Sequence, residues 1–442
     1  MTKPMKKERI VLQTDGSVLS GYEQAGTLET WRELVAKHCV GNSRLVLGVC
    51  AAFAAPWLTP LDQQSFTLHL RGASSIGKTS AQRVGKSVIG SPQSIYTWRA
   101  TASALESVAA LHNDNLLCLD EIGESEPKDI GVSAYMLNNG QGKLRQTRNI
   151  TLRKVARWRL IVLSNGELSL ADVMAQNKQR MKAGQAVRVI DIPADADQGL
   201  GLFEHLPEGV ASGREFADQI KEATHQQHGT AFRAYLKQLV QDRPTHLQTI
   251  KNYREQWKES YLPAAVDSQV GRVADSFATL AAAGELATDF GLTGWPAGAA
   301  GEGIALCFHA WIEARGGTGN QEEADILAHV RNHFEANGSA QYAYINLRPQ
   351  DDKVMYRMGY RDDKNDFFVL PQRFESELCQ KAGFDKKQVI AVLLKHQYLR
   401  SGSNGRPTIT KRVYSLDVQN PDAEKKMERV YHIDSSIVGG VG

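Results

Sequence analysis

Eight consecutive residues, GASSIGKT at positions 72–79, have the types and the spacing of a phosphate-binding loop. The glycines leave room for backbone N–H groups to approach a polyphosphate, the lysine neutralises the β and γ phosphates, and the threonine hydroxyl binds Mg²⁺. We therefore expect ATP and Mg²⁺ as cofactors, and a glycine-rich turn without a ligand is the alternative. The predicted ATP-binding residues in this loop are Gly72, Ser74, Ser75, Gly77, Lys78, Thr79 and Ser80.

An acidic pair ends a second apolar segment, LLCLDE at positions 116–121. A buried strand ending here would bring Asp120 to the Mg²⁺ ion beside Thr79, and Glu121 to the water that attacks the γ phosphate. Acidic pairs after strands also occur in other settings, but in a chain with a phosphate-binding loop this pair indicates hydrolysis. We predict Lys78 and Glu121 as catalytic residues, and Thr79 and Asp120 as metal ligands.

Three further polar residues are candidates for completing the nucleotide site. Asn165, which ends the apolar run WRLIVLSN, is predicted to sense the γ phosphate, or it forms a turn before Gly166. Arg188, just ahead of VIDIP, is predicted to act on the nucleotide of a neighbouring subunit; Arg180 competes for that role, and a strand-edge ion pair is the alternative. Arg272 is predicted to reach back to the phosphates from a later helix, or it is a solvated helix charge.

A basic segment, GKLRQTRNITLRKVARWR at positions 142–159, contains no acidic residue. Two short strands on either side of Arg148 and Asn149 predict a β-hairpin over residues 143–157. In a ring of subunits, such hairpins would line the central hole and contact the phosphate backbone of DNA, whereas a solvated basic surface is the alternative. The predicted DNA-binding residues are Lys143, Arg145, Arg148, Arg153 and Lys154.

Short apolar segments and helical patterns alternate in the first half of the chain. The predicted strands span residues 66–71, 94–98, 115–119, 158–163 and 187–192. This alternation is typical of an α/β fold, in which a parallel sheet carries the phosphate-binding loop and the acidic pair. Two helices are predicted before the sheet, one with Thr30 as N-cap and Glu33 in a capping box, and one over residues 45–57.

The chain after Pro193 is predicted to be mainly helical. Five helical segments, at 214–225, 231–241, 247–260, 270–287 and 300–315, are interpreted as a helical lid. From Val369 onward, two helices and two short strands predict a winged helix for DNA or protein contact, with basic residues Lys386, Lys387, Arg400, Arg406, Lys411 and Arg412. The predicted domains are an N-terminal segment 1–25, an ATPase core 26–205, a lid 206–335, a C-terminal winged helix 336–420 and a polar tail 421–442.

Composition narrows the class of protein. A chain of 442 residues is long enough for several domains, and 42% hydrophobic with 23% charged residues is the balance of a folded globular protein. A net charge of +3 is small, so any attraction to DNA must come from local clusters. Five cysteines without a CxxC pair favour neither a disulfide framework nor a zinc finger. Without a membrane-length apolar run or a signal peptide, we expect a cytoplasmic protein that does not enter a membrane.

The chain resembles the AAA+ helicases of mobile genetic elements, which occur in phage satellites, prophages and staphylococcal cassette elements. This family includes primase-helicases and domains of unknown function. The matching stretches cover most of residues 26–345 and are GNSRLVLGVCAAFA, HLRGASSIGKTS, TWRATASALE, HNDNLLCLDEI, YMLNNGQGKLR, WRLIVLSNGE, GQAVRVIDIPAD, AAAGELATDFGLTGWP and IEARGGTGNQE.

The resemblance implies a likeness to the minichromosome-maintenance clade. It implies a hexameric ring with a hairpin before the first sensor, a helical lid and a C-terminal winged helix. The family often has threonine where Asn165 stands, so this chain departs from the pattern at the sensor. Many relatives carry a long N-terminal region, sometimes a primase, for which there is no room ahead of Thr27; we expect priming by a separate protein, or a region that was removed.

Two functions from different classes are consistent with these features. The first is an ATP-driven, ring-forming helicase that replicates a mobile element and moves along DNA through basic hairpins in its pore. The second is a nucleotide-switched ATPase that binds DNA or recruits partner proteins without processive unwinding.

Overall fold

The structure is a computed structural model of the chain. It describes residues 21–124, 126–144, 155–177, 179, 181, 183–347, 354, 356–402, 405–414 and 425–439. The chain divides into two compact units between Thr318 and Gly319.

A five-stranded parallel sheet forms the centre of the first unit, as predicted. Its strands are β1 (Phe66–Arg71), β2 (Tyr96–Thr97), β3 (Asn115–Asp120), β4 (Leu160–Gly166) and β5 (Val189–Pro193), in the order β2-β3-β4-β1-β5. Four of the five are largely buried, because helices cover both faces of such a sheet. The strand predicted over residues 94–98 shortens to two residues, because Pro92–Ser94 forms a 3₁₀ turn immediately before it.

Within the described residues up to β5, seven helices accompany the strands. They are α1 (Leu28–Leu34), α2 (Ser43–Ala54), α3 (Lys78–Ile89), α4 (Ala102–Leu111), α5 (Pro127–Asn139), α6 (Leu170–Gln176) and α7 (Ala183–Ala186), with further 3₁₀ turns at Ala36–Cys39, Ala55–Trp57 and Ile122–Glu124. The predicted start of α1 is wrong, because Thr27 is the N-cap and Thr30 closes the capping box in place of Glu33. Every residue of α2 is buried, which suits its apolar composition on all sides.

Five longer helices complete the first unit at nearly the predicted positions. They are α8 (Gly213–Gln226), α9 (Thr230–Leu239), α10 (Arg243–Tyr261), α11 (Ser268–Asp289) and α12 (Ala299–Arg315). Helices α11 and α12 pack against α2, and their buried side chains belong to the same hydrophobic core as the strands. These helices therefore form one compact unit with the sheet, and this unit ends at Thr318 rather than at the predicted lid boundary of 335.

The second unit combines an antiparallel-rich sheet with helices. Its strands are β6 (Tyr342–Tyr344), β7 (Gly359–Arg361), β8 (Phe367–Val369), β9 (Leu399–Arg400), β10 (Ile409–Tyr414) and β11 (Lys425–Ile433), in the order β10-β11-β8-β7-β6 with β9 paired to β11. Its helices are α13 (Gln321–Asn337), α14 (Pro371–Arg373), α15 (Lys386–Lys395) and α16 (Ser436–Gly439). A π-helical segment, Phe374–Cys379, and a 3₁₀ turn, Gln380–Ala382, continue from α14.

The predicted polar tail from residue 421 is wrong for the part that the structure describes. Strand β11 lies inside the second sheet and buries Val430, Tyr431 and Ile433, and α16 buries Ile437. The charged residues of KKMERVYHI made this segment resemble a polar tail in the sequence. It forms a strand because β8 and β10 provide hydrogen-bonding partners on both sides. None of the helices in the described ranges has the length and apolarity that crossing a membrane requires.

Candidate nucleotide-binding site

The loop from Gly72 to Thr79 leads from β1 into α3, and two of its positions favour glycine. A Cβ atom on Gly72 would lie 2.6 Å from Cδ1 of Ile76. Gly77 has a φ of 98°, in the left-handed region, and a Cβ there would lie 3.2 Å from the ring of Phe203. The loop backbone therefore runs directly into the start of α3. The first N–H groups of this helix have no intrahelical partner.

A cleft of about 1080 Å³ opens beside this loop, where the strands β1, β3 and β4 end. Ligands of parallel α/β sheets commonly bind outside the carboxyl ends of the strands. The cleft brings together residues that the sequence predicted from three separate segments: Ser74, Ser75, Gly77, Lys78, Thr79, Ser80, Asp120, Glu121 and Asn165. Its lining is largely polar and charged, as binding of an anion requires.

Lys78 is held against the loop that precedes it. Its Nζ atom donates hydrogen bonds of 2.7 Å to the carbonyl oxygens of Gly72 and of Ala73. Burial lowers the pKa of Lys78, while the carboxylates of Glu121, Glu167 and Asp120 act in the opposite direction. The ammonium group is thus positioned by backbone carbonyls at the cleft wall, and an incoming phosphate can replace those contacts.

Asn165 connects the acidic pair to the neighbouring strand. Because Leu119 pairs with Ser164, the following residues Asp120 and Asn165 lie side by side. The Asn165 Nδ2 atom donates to Oδ1 of Asp120 at 2.6 Å, and its Oδ1 atom accepts from the backbone N–H of Glu121 at 2.9 Å. Glu121 has a φ of 49°, an uncommon backbone conformation for a residue other than glycine, and the bond to Asn165 fixes it there.

Gln82 is a member of this network that the sequence did not indicate. It lies on α3, four residues after Lys78, and is fully buried. Its Nε2 atom donates to the carbonyl oxygens of Leu119 and Leu163, at 2.9 and 3.1 Å, and its Oε1 atom accepts from Asn165 at 3.1 Å. One amide therefore ties α3 to the ends of β3 and β4. In the sequence, the only sign of this role was that Gln82 is a polar residue on the apolar face of a predicted helix.

A buried imidazole supports the end of β4 from behind. The Ser164 hydroxyl lies 2.9 Å from Nδ1 of His69 and accepts a hydrogen bond of 2.7 Å from Nε1 of Trp98. Nε2 of His69 lies 3.0 Å from the carbonyl oxygen of Leu168, so this nitrogen carries the ring proton. Burial lowers the pKa of His69 to about 4, so the ring is neutral near pH 7. This chain of bonds holds the strand segment from which Asn165 extends.

Three cations of the cleft were not predicted from the sequence. Arg83 on α3 and Arg214 and Lys221 on α8 line the cleft, and none forms a hydrogen bond or ion pair with another described residue. Arg214 and Lys221 lie seven residues apart, on one face of α8. Positive charge therefore faces the cleft from two helices that are far apart in the sequence. Only the packing of α3 against α8 reveals this arrangement.

Arg272 lies outside the cleft of its own chain, because α11 lies near the opposite edge of the sheet. Ser276 and Thr279 of α11 are hydrogen-bonded to Gln63, which precedes the amino end of β1, whereas the cleft lies at the carboxyl end. Arg272 is exposed and does not line the cleft. Periodicity placed a basic residue on a helix correctly, but it could not show which end of the sheet that helix reaches.

Replacing Arg214 with alanine should raise the KM for ATP about tenfold, because a charge-assisted hydrogen bond to phosphate is then lost. The matched variant Arg272→Ala should change the KM by less than about twofold, because its guanidinium lies away from the cleft. Steady-state hydrolysis over a range of ATP concentrations measures both. A raised KM in the Arg272 variant together with a normal KM in the Arg214 variant would contradict this assignment.

Arg188 lies outside the cleft of its own chain. It directly precedes β5, at the amino edge of the sheet, and its Nε atom donates to Oε1 of Gln64 at 3.0 Å. Of the predicted nucleotide-site residues, Arg188 and Arg272 are therefore the two described ones that do not join the loop and the acidic pair. The competing Arg180 lies outside the described residues.

The basic segment begins and ends at one place in the structure. Gln141 and Arg157 form an antiparallel bridge, and the backbone N–H groups of Gly142 and Trp158 donate to Ala156 and Gly140 at 2.9 Å. The backbone N–H of Lys143, the first predicted DNA-binding residue, lies 3.5 Å from Oε2 of Glu106. The other four, Arg145, Arg148, Arg153 and Lys154, lie outside the described residues, so the hairpin itself stays a prediction.

The fold and the cleft define an α/β protein with a parallel sheet and a candidate phosphate site at its carboxyl edge. Residues 2–157 match the family model described as Domain of unknown function (DUF927). The chain is also similar to a solved structure described as "SCCmec type IV Cch - active helicase". The match covers 95% of this chain and 73% of that chain, with a TM-score of 0.65 and 16% sequence identity, which shows a shared fold. No curated protein matches the chain in sequence.

Proposed function

We propose that this protein is an AAA+ ATPase that forms a ring and unwinds DNA for the replication of a mobile genetic element. One observation carries the proposal: a glycine-dependent loop with Lys78 and the pair Asp120 and Glu121 line the same cleft. This is the arrangement by which phosphate-binding-loop ATPases hold and hydrolyse a nucleoside triphosphate. The shared fold with a structure described as an active helicase supports a motor rather than another type of ATPase.

The cleft residues suit ATP with Mg²⁺. The N–H groups at the start of α3 and the ammonium group of Lys78 would bind the phosphates. Thr79 and Asp120 offer a hydroxyl and a carboxylate, the hard oxygen ligands that Mg²⁺ prefers, with water and phosphate oxygens completing its coordination. Such a site needs no dense ligand cluster, and the described part of the chain contains no group of three or more His, Cys, Asp or Glu residues around a metal position. When bound, Mg²⁺ neutralises charge on the phosphates.

Glu121 would accept the proton of the attacking water, and Asn165 would hold Glu121 in position. Both N–H groups of the Asn165 amide are already used, by Asp120 and by Gln82. Contact with a γ phosphate would require one of these hydrogen bonds to break. We therefore assign Asn165 first to positioning the acidic pair, and the predicted sensor role would need that exchange.

A ring of subunits would give Arg188 a function that it cannot have within its own chain. Its place at the amino edge of the sheet, away from its own cleft, leaves it available to a neighbouring nucleotide, where an arginine stabilises charge on the transferred phosphoryl group. A homohexamer is the assembly we propose.

The basic segment would hold the DNA in the pore. Its two ends pair at Gln141 and Arg157 in an antiparallel bridge. Five cations between these ends, Lys143, Arg145, Arg148, Arg153 and Lys154, would contact the phosphates of a single strand or a fork.

The second unit is proposed as a winged helix with a reduced set of DNA contacts. Two of its predicted cations are neutralised within the unit: Lys386 lies 2.6 Å from Oε2 of Glu375, and Arg400 pairs with Asp434. The side chains of Lys387 and Arg412 remain without an ion pair to described residues, and the ammonium group of Lys411 lies over the ring of Phe368. Contacts through this unit would therefore depend on fewer residues than the sequence suggested.

Replacing Arg145, Arg148 and Arg153 with alanine should abolish unwinding of a forked duplex, while hydrolysis without DNA stays within about threefold of the wild type. The reason is that these cations are expected to contact phosphates, not the nucleotide cleft. A strand-displacement assay and a phosphate-release assay measure the two activities. As a control, replacing the exposed Arg243 and Lys251 of α10 with alanine should leave both unchanged.

Two outcomes distinguish this proposal from its alternatives. Normal unwinding by the triple variant would show that the basic segment does not hold the DNA. A wild-type protein that forms nucleotide-dependent oligomers and binds DNA, but never separates strands, would identify a nucleotide-switched ATPase instead of a helicase.

A further inference from the structure

A second polar cleft lies at the amino edge of the first unit's sheet, opposite the nucleotide site. It has a volume of about 410 Å³ and lies among residues that precede β1, β3 and β4 and the end of α5. The paired ends of the basic segment, Gln141 and Arg157, form part of its wall. A strand of DNA bound beside this bridge would therefore pass the opening of this cleft.

Several hydrogen-bonding groups around this cleft have no partner. Asn138 is only 2% exposed; its Oδ1 atom accepts from the Thr67 hydroxyl at 3.0 Å, but its side-chain NH₂ group makes no hydrogen bond. Leaving a buried donor unpaired is unfavourable, and such groups are rare in folded proteins. The exposed side chains of Asn139, Gln141 and Arg157 also make no hydrogen bond or ion pair with the described residues.

The other polar groups of the wall are already used by the protein. The Ser65 hydroxyl accepts from the backbone N–H of Leu160, and Oδ1 of Asn113 accepts from the backbone N–H of Arg159. The Arg159 guanidinium is bound to Asp62 and to backbone carbonyl oxygens. The groups with unused hydrogen-bonding atoms thus include the carboxamides of Asn138, Asn139 and Gln141 and the guanidinium of Arg157, and no acidic residue lines the cleft within the described residues.

This set of groups matches the chemistry of a nucleotide. A free guanidinium binds a phosphate, and carboxamides both donate to and accept from the polar edge of a base. The volume suits one nucleotide but excludes a base pair within a duplex, so the ligand would be part of a single strand.

We propose that this cleft binds one nucleotide unit of single-stranded DNA, with Arg157 on the phosphate and Asn138, Asn139 and Gln141 at the base. The inference rests on the proposed function and adds to it a site that contacts a base. The basic segment would attract the phosphates through its charge. The cleft would fix the position of the strand by binding one of its nucleobases.

Binding of fluorescein-labelled dT20 by the full-length protein tests the inference. The variant with Asn139, Gln141 and Arg157 all replaced by alanine should bind dT20 about tenfold to a hundredfold more weakly than the wild type. The wild type should also prefer dT20 over an abasic oligonucleotide of equal length, and the variant should lose most of this preference. The matched control replaces Arg243, Gln248 and Asn252, which are exposed on α10, with alanine and should behave as the wild type.

Each result has a defined meaning. Equal affinities of the cleft variant and the control for dT20 overturn the cleft assignment and leave the proposed motor intact. A wild type that hydrolyses ATP but binds no DNA removes both proposals. If the triple variant has a lowered Tm, Arg157→Ala alone provides the comparison, and an unchanged affinity in that variant removes the phosphate contact.

Discussion

Replacing Lys78 with alanine should reduce ATP hydrolysis by about 10²- to 10³-fold, the range found when one group that stabilises transition-state charge is removed. The ammonium group already lies at the cleft wall, bound to the carbonyl oxygens of Gly72 and Ala73, where it can contact phosphate groups in the cleft. Because unwinding is proposed to be driven by hydrolysis, DNA unwinding should disappear with it. Phosphate release and strand displacement measure the two effects.

The stabilisation of the protein by ATP separates a site effect from a folding effect. Because ligand binding raises the Tm, wild-type protein with ATP and Mg²⁺ should melt at a higher temperature, and Lys78→Ala should lose most of this rise while keeping its ligand-free Tm. Lys251→Ala, an exposed lysine on α10, serves as the control. Strand separation that survives the loss of Lys78 would rule out the ATP-driven motor.

Replacing Glu121 with glutamine should reduce hydrolysis by about 10²- to 10⁴-fold while ATP binding is retained, because the general base is lost but the phosphate contacts remain. The carboxylate is held by a backbone with positive φ and by the Glu121 N–H bond to Asn165, so the isosteric change should preserve the local geometry. Single-turnover hydrolysis and the ATP-dependent rise in Tm report the two properties separately. The variant should also accumulate an ATP-bound oligomer, which size-exclusion chromatography detects.

A neighbouring carboxylate provides the matched control. Glu124 is exposed in the turn that follows Glu121, and Glu124→Gln should hydrolyse ATP at the wild-type rate. Wild-type hydrolysis by Glu121→Gln would move the general base to another group of the cleft. Loss of ATP binding in that variant would instead assign Glu121 to holding the metal or the phosphates.

The main elements of the first unit were predictable because their signals are local. Apolar runs bounded by turn residues marked the strands, and β1 occupies the predicted residues 66–71. The loop motif and the acidic pair carry their chemistry in a few adjacent residues, and parallel strands bring such residues to a common edge. The pairing of β11 with β8 was not predictable in this way, since β8 lies far earlier in the sequence.

The sequence by itself determined the composition of the nucleotide site: the loop, its lysine, the acidic pair and Asn165. Only the tertiary structure decided which cations face that site, placing Arg214 at the cleft and Arg272 near the opposite edge of the sheet. It also showed that Gln82 joins α3 to the acidic pair through Asn165. The physical reason is that local pattern specifies the face of a helix, whereas packing against distant elements specifies where that face lies.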